Sequence, residues 1–499
     1  MKDHNIFLSR VLLKKLQEKL NCIRFVICSG SRNTPLLFEI EKLKNKEIFT
    51  FFDERAASFF ALGMCQLDRK PTVVVTTSGT AVSECYSAFI EAYYSSLPLV
   101  ILSADRPRRY RGSGAPQAIM QKNIFSHYSE GAFLDCEREA ELNFNGHENF
   151  QYPLHVNLSL EEPAGEASAS QDLVFDYSHQ KTIQDEKCSH ECFQQLESFV
   201  DEQTALVLSG LHPSESVVFE KLFEKNLPIY TEATSNLPKS LLSEEVLEAH
   251  YSKILRIGAV PLGKFWRNLE KNEKEVFSVS RLALSGLSKK SQFYQLKNYT
   301  PELIELLLEK LTKCSDEKSP EVELSDEEKA LKELSKKIPH DALIFLGNSL
   351  PVREWTRVAE KKEHQHVFAS RGANGIDGQI ATFLGLSAAS KNKNLEFWCV
   401  LGDLTSLYDL NSLLLAQSEA LKNLRLRLVV VNNGGGKIFE KLKYLQKGEK
   451  ILSQYLVQGN YQYSFELLAQ AFHWSYAEWS DEAWQIQKNK KHLLLELKL

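Results

Sequence analysis

The run from Trp398 to Phe439, WCVLGDLTSLYDLNSLLLAQSEALKNLRLRLVVVNNGGGKIF, limits what this chain can fold into more than any other stretch. Phe397 to Leu401 is continuously apolar, the pattern of a parallel strand buried on both faces. Gly402-Asp403 ends it. Leu407, Leu410, Leu413, Leu414 and Leu421 then recur at helical spacings, and Leu428 to Val431 forms a second strand-like run that stops at Asn432-Asn433. Strand, helix and strand make a βαβ unit, which brings Asp403 and Asn433 together at the carboxyl ends of neighbouring strands. Open parallel sheets place their ligands at that edge.

An aspartate, an asparagine amide oxygen and a loop carbonyl are hard oxygen donors, suited to Mg²⁺ shared with a phosphate-bearing ligand. Gly434 to Gly436 let the backbone come close to such a ligand. The plain alternative stays open from this stretch alone, because Gly-Asp ends many strands and NNGGG also serves as a turn. The paired GD and NN are similar to the diphosphate-and-metal signature of thiamine diphosphate (ThDP) enzymes. That resemblance implies that Asp403, Asn433 and the Gly435 carbonyl hold the metal, Mg²⁺ or Mn²⁺, with Leu404 and Thr405 beside the diphosphate. The usual GDG of the signature reads GDL here.

The remaining sequence fits a large α/β protein. Its 499 residues suffice for about three domains, and 43% hydrophobic with 25% charged residues is ordinary for a soluble globular chain. A net charge of -5 argues against a general nucleic-acid binder. The first twenty residues read as an amphipathic helix, since charges interrupt each apolar run, and no run reaches membrane-spanning length. Nine cysteines without a CxxC pair fit reduced thiols in the cytoplasm. Cys188, His190 and Cys192 lie close together in a polar stretch that reads as a solvated linker, not a zinc site.

Strand candidates at Phe25–Cys28, Ile48–Phe52, Thr72–Thr76, Leu99–Ser103 and Leu154–Leu160 alternate with helical segments, giving a first doubly wound α/β domain over 1–165. A polar linker leads to a middle α/β domain over 190–314, with strands at Ala205–Ser209 and Ile254–Val260. An acidic linker then precedes a third α/β domain over 326–499.

The loops of the first domain carry the other candidates. Asp53 can cap the helix that begins at Asp53-Glu54-Arg55, and an acid in its first turn suits the helix dipole. A ThDP enzyme, however, needs one carboxyl group beside the aminopyrimidine ring, and Glu54 ends a strand where that partner is expected.

SGSRNTPL, FFDERAASFFALG, TTSGTAVSECY, SADRPRR, GAPQAIMQ, GNSLPVREW, SRGANGIDG, GDLTSLYDLN and VVVNNGGGKIF occur in one order and register. They resemble the 2-succinyl-5-enolpyruvyl-6-hydroxy-3-cyclohexene-1-carboxylate synthase family, ThDP enzymes of menaquinone biosynthesis. The resemblance covers the first and third domains nearly end to end and barely covers the middle one, which looks abbreviated. It implies a three-domain ThDP fold, with pyrimidine-binding domain first and diphosphate-binding domain last. The implied reaction decarboxylates 2-oxoglutarate on ThDP and adds the product equivalent to isochorismate.

The two substrates carry four carboxylates between them, which planar guanidinium groups recognise in bidentate fashion. By resemblance, Arg353 and Arg371 face the 2-oxoglutarate carboxylate, with Ser349 nearby. Ser31, Arg32, Arg106, Gln117 and Lys264 line the isochorismate side. Ile376 matches the bulky residue that props ThDP into its bent form, and Ile438 and Phe439 match the apolar wall of the site. A salt bridge for each arginine and a core role for each apolar residue are the plain alternatives. Departures from the family pattern are Asn33, Ala56, Asn374, and Phe265 where a second basic residue is common after Lys264. In this superfamily the cofactor lies between subunits, so Glu54 and Asp403 complete a site only in a homodimer or homotetramer. Another ThDP-dependent 2-oxoacid decarboxylase or carboligase is one rival reading. A non-catalytic homologue is the other, and the retained Glu54 and metal ligands argue against it.

Overall fold

The computed structural model describes residues 2–129, 132–144, 153–162, 190–239, 242–281, 284, 288, 290–296, 299–311, 323–362, 365–441, 455–457 and 462–499. Strands β1 (Arg24–Cys28), β2 (Glu47–Phe51), β3 (Thr72–Thr76), β4 (Leu99–Asp105), β5 (Phe133–Cys136) and β6 (Leu154–Ser159) form a parallel sheet in the order β2-β1-β3-β4-β6-β5. Strands β7 (Thr204–Ser209), β8 (Ile229–Thr231), β9 (Lys253–Gly258), β10 (Glu275–Ser280) and β11 (Lys290–Gln295) form a second, ordered β11-β10-β9-β7-β8. The third comprises β12 (Leu343–Leu346), β13 (His366–Phe368), β14 (Glu396–Gly402), β15 (Arg425–Asn432), β16 (Ser475–Glu478) and β17 (His492–Lys498), ordered β13-β12-β14-β15-β17-β16. All three are parallel, and this is the ThDP-binding α/β fold expected from the sequence.

Parallel sheets bury both faces, which is why their strands read as unbroken apolar runs. The amphipathic N-terminal helix, Lys2–Leu20, buries Leu8, Leu12, Leu13 and Leu16 in the core of the first sheet. The strand β5 was not legible in the sequence, since FLDC is short and only half buried.

The chain packs into two compact units. One holds the first sheet together with residues 377–391 and 408–422, and the other holds the second and third sheets. In the first unit the helix Gln379–Ala389, apolar on every side, is buried at all eleven positions. It lies against the helix Glu54–Asp68 so closely that a Cβ on Gly63 would stand 1.9 Å from the Thr382 carbonyl oxygen. A Cβ on Gly385 would meet the Phe60 oxygen at 1.9 Å. Only glycine admits that approach.

In the second unit the middle sheet is tied to the third by specific bonds. The Asn236 side chain accepts from Val367 N–H at 2.7 Å and donates to the Leu211 and Val367 carbonyls. Lys239 and Lys361 donate to the Arg357 and Leu237 carbonyls. Leu262, from the loop after β9, is buried in the core of the third sheet.

The expected single helix between β14 and β15 is instead two pieces, an α-helix over Asp403–Tyr408 and a 3₁₀ segment over Leu410–Gln417. The break falls at Asp409, whose backbone leaves helical geometry (φ -127°, ψ 28°). Its fully buried carboxylate accepts from Arg55, Ala381 N–H and Ser412 Oγ. A buried carboxylate needs such partners, and they outweigh the leucine periodicity. The segment Cys188–Cys192 lies partly outside the described residues; a helix, His190–Phe199, begins within it.

Candidate active site

The strands of the βαβ unit are neighbours, as the sequence implies. β14 and β15 pair in parallel with Gly402 opposite Val431, so Asp403 and Asn433 leave adjacent strand ends. Asp403 is 3% exposed. One carboxylate oxygen accepts from Leu404 N–H at 2.7 Å, and the other accepts from Gly435 N–H at 2.7 Å and from the Tyr463 hydroxyl at 3.5 Å. Burial, followed by the charge of Asp403, pushes the Tyr463 phenol up to about 12. Gly434 and Gly435 adopt φ of 80° and 117°, which bend the NNGGG loop back toward Asp403.

Asn433 donates its amide N–H to Glu327 at 3.3 Å, which orients the side chain. Its Oδ1 is buried without a hydrogen-bond partner among the described residues. The Gly435 carbonyl accepts one bond, from Lys437 N–H at 2.7 Å, and keeps a second lone pair. A desolvated amide oxygen left unpaired costs about 1–3 kcal/mol. A carboxylate, that amide oxygen and a carbonyl therefore form a donor set that fits a small hard cation.

Glu54 occupies the first turn of the helix Glu54–Asp68, after β2. The cap is Asp53, whose carboxylate accepts from Ala56 N–H at 3.0 Å. Glu54 is left half-buried beside the thiols of Cys28 and Cys85, and burial raises its pKa above the ordinary carboxylate value, Asp53 and Glu84 adding to the effect. A carboxyl group held this way retains its proton more readily and can share it with a ring nitrogen. Arg55 points away into the Asp409 network and stacks over Tyr408. Asn411, from the 3₁₀ segment, donates to Asp53.

The basic residues fall into two groups. In the first unit Arg32, 4% exposed, donates to the Leu160 carbonyl at 3.1 Å and to Glu162 Oε2 at 2.5 Å. Arg106 lies 3.8 Å from the same oxygen and donates its Nε–H to the Pro116 carbonyl at 2.7 Å. Two guanidinium groups thus converge on one carboxylate. Ser31 and Gln117 are exposed nearby in sequence, Gln117 with φ 56°.

In the second unit Arg353 lies in the helix Leu350–Val358 that follows β12, and Arg371 lies in the loop after β13. Arg353 donates to the Ser349 carbonyl at 2.5 Å, and Arg371 to Asn348 Oδ1 at 2.9 Å. Ser349 sits at φ 75°, ψ -122°, a conformation costing a non-glycine residue about 1–3 kcal/mol, as functional sites tend to. Burial, with Arg267 beside it, lowers the Arg353 pKa. Glu232, at the end of β8, is fully buried in this group. It accepts from Leu262 N–H at 2.5 Å, and burial raises it to about 8 despite the attraction of Arg371.

That shift has a measurable sign. Between its ordinary value of 4.5 and about 8, the folded protein keeps a proton on Glu232 that the unfolded chain has lost. Stability therefore falls as pH rises through this window and levels off above it. The Glu232→Gln protein, which retains the acceptor for Leu262, is expected to gain in relative stability on the order of a few kcal/mol from pH 5 to pH 8. Thermal melts across that range read the difference. Parallel curves for the two proteins would mean that Glu232 is already ionised.

Residues 8–124 match the family described as thiamine pyrophosphate enzyme, N-terminal TPP binding domain, thiamine pyrophosphate being another name for ThDP. Similarity to curated proteins extends over nearly the whole chain. The 2-succinyl-5-enolpyruvyl-6-hydroxy-3-cyclohexene-1-carboxylate synthase of Bdellovibrio bacteriovorus is 37% identical over 91% of this chain and 88% of its own length. The chain belongs to that synthase family. A synthase of the same name from Akkermansia muciniphila is 33% identical over 94% of the chain and 92% of its length, and one from Leuconostoc mesenteroides 29% over 89% and 86%. It is a ThDP-dependent enzyme.

Within this synthase family the departures noted in the sequence have local reasons. Asn33 is buried and donates to the Cys28 carbonyl at 2.8 Å. Ala56 is buried where its N–H meets Asp53, and Asn374 takes φ 63°, which asparagine tolerates better than most residues. Phe265 packs in the middle-domain core against Tyr230, with ring centroids 5.2 Å apart. Lys264 opens the helix Lys264–Asn272, exposed, with its N–H donating to Glu244 at 2.7 Å. Lys264, Arg353 and Arg371 belong to the second unit, and Arg32, Arg106 and Gln117 to the first. Ile376 is 37% exposed, and Ile438 and Phe439 are half-buried in the 3₁₀ turn Lys437–Lys441. Leu404 is half-buried and Thr405 buried behind Asp403.

Sequence reasoning missed Tyr463, Glu327, Asn348, Arg267, Glu232 and the Arg55–Asp409 pair. Asn348, Arg55 and Asp409 stand inside motifs already singled out, GNSLPVREW, FFDERAASFFALG and GDLTSLYDLN. The others carry no local signal, because their partners lie far away in the chain. No helix among the described residues is long and apolar enough to cross a membrane.

Proposed function

We propose that this enzyme decarboxylates 2-oxoglutarate and adds the resulting four-carbon unit to isochorismate. The products are 2-succinyl-5-enolpyruvyl-6-hydroxy-3-cyclohexene-1-carboxylate and CO₂, in cytoplasmic menaquinone biosynthesis. The observation that carries this reading is the division of the candidate arginines into two groups, Arg32 and Arg106 in the first unit and Arg353 and Arg371 in the second, one per carboxylate-bearing substrate. Bound ThDP supplies the electron sink for decarboxylation and the nucleophilic carbon for the addition.

The protein's part is to bind, orient and protonate. Asp403, Asn433 and the Gly435 carbonyl hold Mg²⁺ and through it the diphosphate, with Leu404 and Thr405 alongside. Glu54 keeps a proton on the aminopyrimidine ring, Ile376 sets the bend of the cofactor, and Ile438 and Phe439 exclude water. Arg353 and Arg371, with Ser349, hold 2-oxoglutarate by its distal carboxylate. Ser31, Arg32, Arg106, Gln117 and Lys264 hold isochorismate. The first domain, 1–165, supplies Glu54, and the last, 326–499, supplies the metal ligands, from different subunits of a homodimer or homotetramer; the middle domain is 190–314.

Incubation with 2-oxoglutarate, isochorismate, ThDP and Mg²⁺, following CO₂ and isochorismate, tests the reaction. Losing a charged hydrogen bond costs about 1.5–3 kcal/mol, or about ten- to a hundredfold in the affected step. Arg32→Ala and Arg106→Ala are expected to raise the KM for isochorismate by that factor while single-turnover CO₂ release from 2-oxoglutarate stays near wild type. Arg371→Ala is expected to slow that release itself. Wild-type protein that consumes 2-oxoglutarate and ignores isochorismate would make it a general 2-oxoacid decarboxylase.

A further inference from the structure

Gln121 closes the motif GAPQAIMQ and has no part in the chemistry above, yet it is 0% exposed. A glutamine in an apolar core needs every polar atom partnered. Its Oε1 accepts from Gly79 N–H at 2.8 Å, and its amide donates to Asn157 Oδ1 at 2.9 Å and to the Ala104 carbonyl at 3.4 Å. Asn157, also fully buried, donates to Asp105 Oδ2 at 3.0 Å. Asp105 Oδ1 accepts the backbone N–H of Arg106 at 2.7 Å, and the Arg106 guanidinium donates to the carbonyl of Pro116, the residue before Gln117. Gln117 returns the chain to its start: its Cβ lies 3.2 Å from where a Cβ of Gly79 would stand. Gly79 takes its φ of 93° freely, whereas Gln117, at φ 56°, is a non-glycine residue in the left-handed region and needs support from its surroundings.

The connections therefore form a closed ring, Gly79, Gln121, Asn157, Asp105, Arg106, Pro116-Gln117 and back. We propose that Gln121 and Asn157 are positioning residues for the acceptor subsite, holding Arg106 and Gln117 in one fixed arrangement for the carboxylate-bearing cyclohexadiene. This rests on the reading that Arg106 and Gln117 receive isochorismate. The bonds connect four strand and loop segments, so loss of one member loosens both ligand-facing residues together. Ser103 and His155 extend the buried network beyond the ring, Ser103 Oγ donating to Asn157 Oδ1 at 2.9 Å and meeting His155 Nε2 at 2.8 Å. They provide the internal control.

Calorimetric titration of the ThDP- and Mg²⁺-loaded protein with isochorismate, and separately with 2-oxoglutarate, tests the proposal. Gln121→Met removes both ring bonds and is expected to weaken isochorismate binding at least tenfold with 2-oxoglutarate affinity unchanged. Gln121→Glu keeps the acceptor for Gly79 but loses the donor to Asn157, and is expected to give the same split should the methionine variant fail to fold. Ser103→Ala is expected to bind both ligands as wild type does. Wild-type isochorismate affinity in Gln121→Glu, equal loss of both ligands, or a tenfold loss in Ser103→Ala would each overturn the assignment. Wild-type protein that binds no isochorismate would instead overturn the proposed function.

Discussion

The Asp403→Ala protein is expected to lose tight, Mg²⁺-dependent binding of ThDP. The carboxylate is nearly fully buried at the end of β14, and it is the one formally charged member of the donor set with Asn433 and Gly435. A diphosphate presented to that pocket without a cation meets partial negative charges from an amide oxygen and a carbonyl. The substitution also releases the Gly435 N–H and the Tyr463 hydroxyl, both of which converge on one Asp403 oxygen. Loop and ligand are lost together. The drop in affinity is expected to exceed a hundredfold, since a charge-assisted contact and a buried hydrogen bond each cost about 1.5–3 kcal/mol. Calorimetry at saturating Mg²⁺ measures it. Unchanged affinity would remove Asp403 from the metal site, and the orphaned Asn433 oxygen would then need another explanation.

The Glu54→Gln protein is expected to behave differently: to fold and bind ThDP, with exchange of the cofactor C2 proton slowed by about a hundredfold or more. Folding survives because Asp53, not Glu54, caps the helix, and Asp53 keeps both Ala56 N–H and Asn411. Exchange fails because an amide cannot donate a proton to the ring nitrogen as a carboxyl does. Burial beside Cys28 and Cys85 already raises the Glu54 pKa, so wild-type protein is set toward the protonated form that the step needs. NMR of bound ThDP in deuterated buffer reads the exchange directly. Wild-type exchange in the variant would leave Glu54 as a first-turn acid serving only the helix dipole.

The two carboxylates illustrate how much could be read before folding. Asp53 and Glu54 are adjacent, and the sequence offers a cap and a chemical group without saying which is which. The backbone decides: Asp53 is extended at φ -113° and reaches over the turn to Ala56 N–H, while Glu54 is already helical and half-buried beside Cys28 and Cys85. The middle domain was the least legible. Its strands β10 and β11, EVFSVS and KSQFYQ, mix polar with apolar residues, and Glu232, Glu244 and Arg267 act on Arg353 or Arg371 from far away in the chain.

What the sequence by itself determined follows from periodicity and from residues whose partners are close in the chain. Continuous apolar runs specified parallel strands, GDL and NNGGG marked the ends of β14 and β15, and the glycines of the loop supplied its positive φ. The placement of β14 beside β15, with Asp403 and Asn433 at adjacent strand ends, needed nothing more. Only the tertiary structure decided the break at Asp409, the closed ring through Gln121 and Asn157, and the sharing of Glu162 by Arg32 and Arg106. In the first two, buried polar groups must find partners in a dry interior, while Glu162 reaches Arg32 and Arg106 from the surface; in each the partner is set by which elements pack together, not by any local pattern.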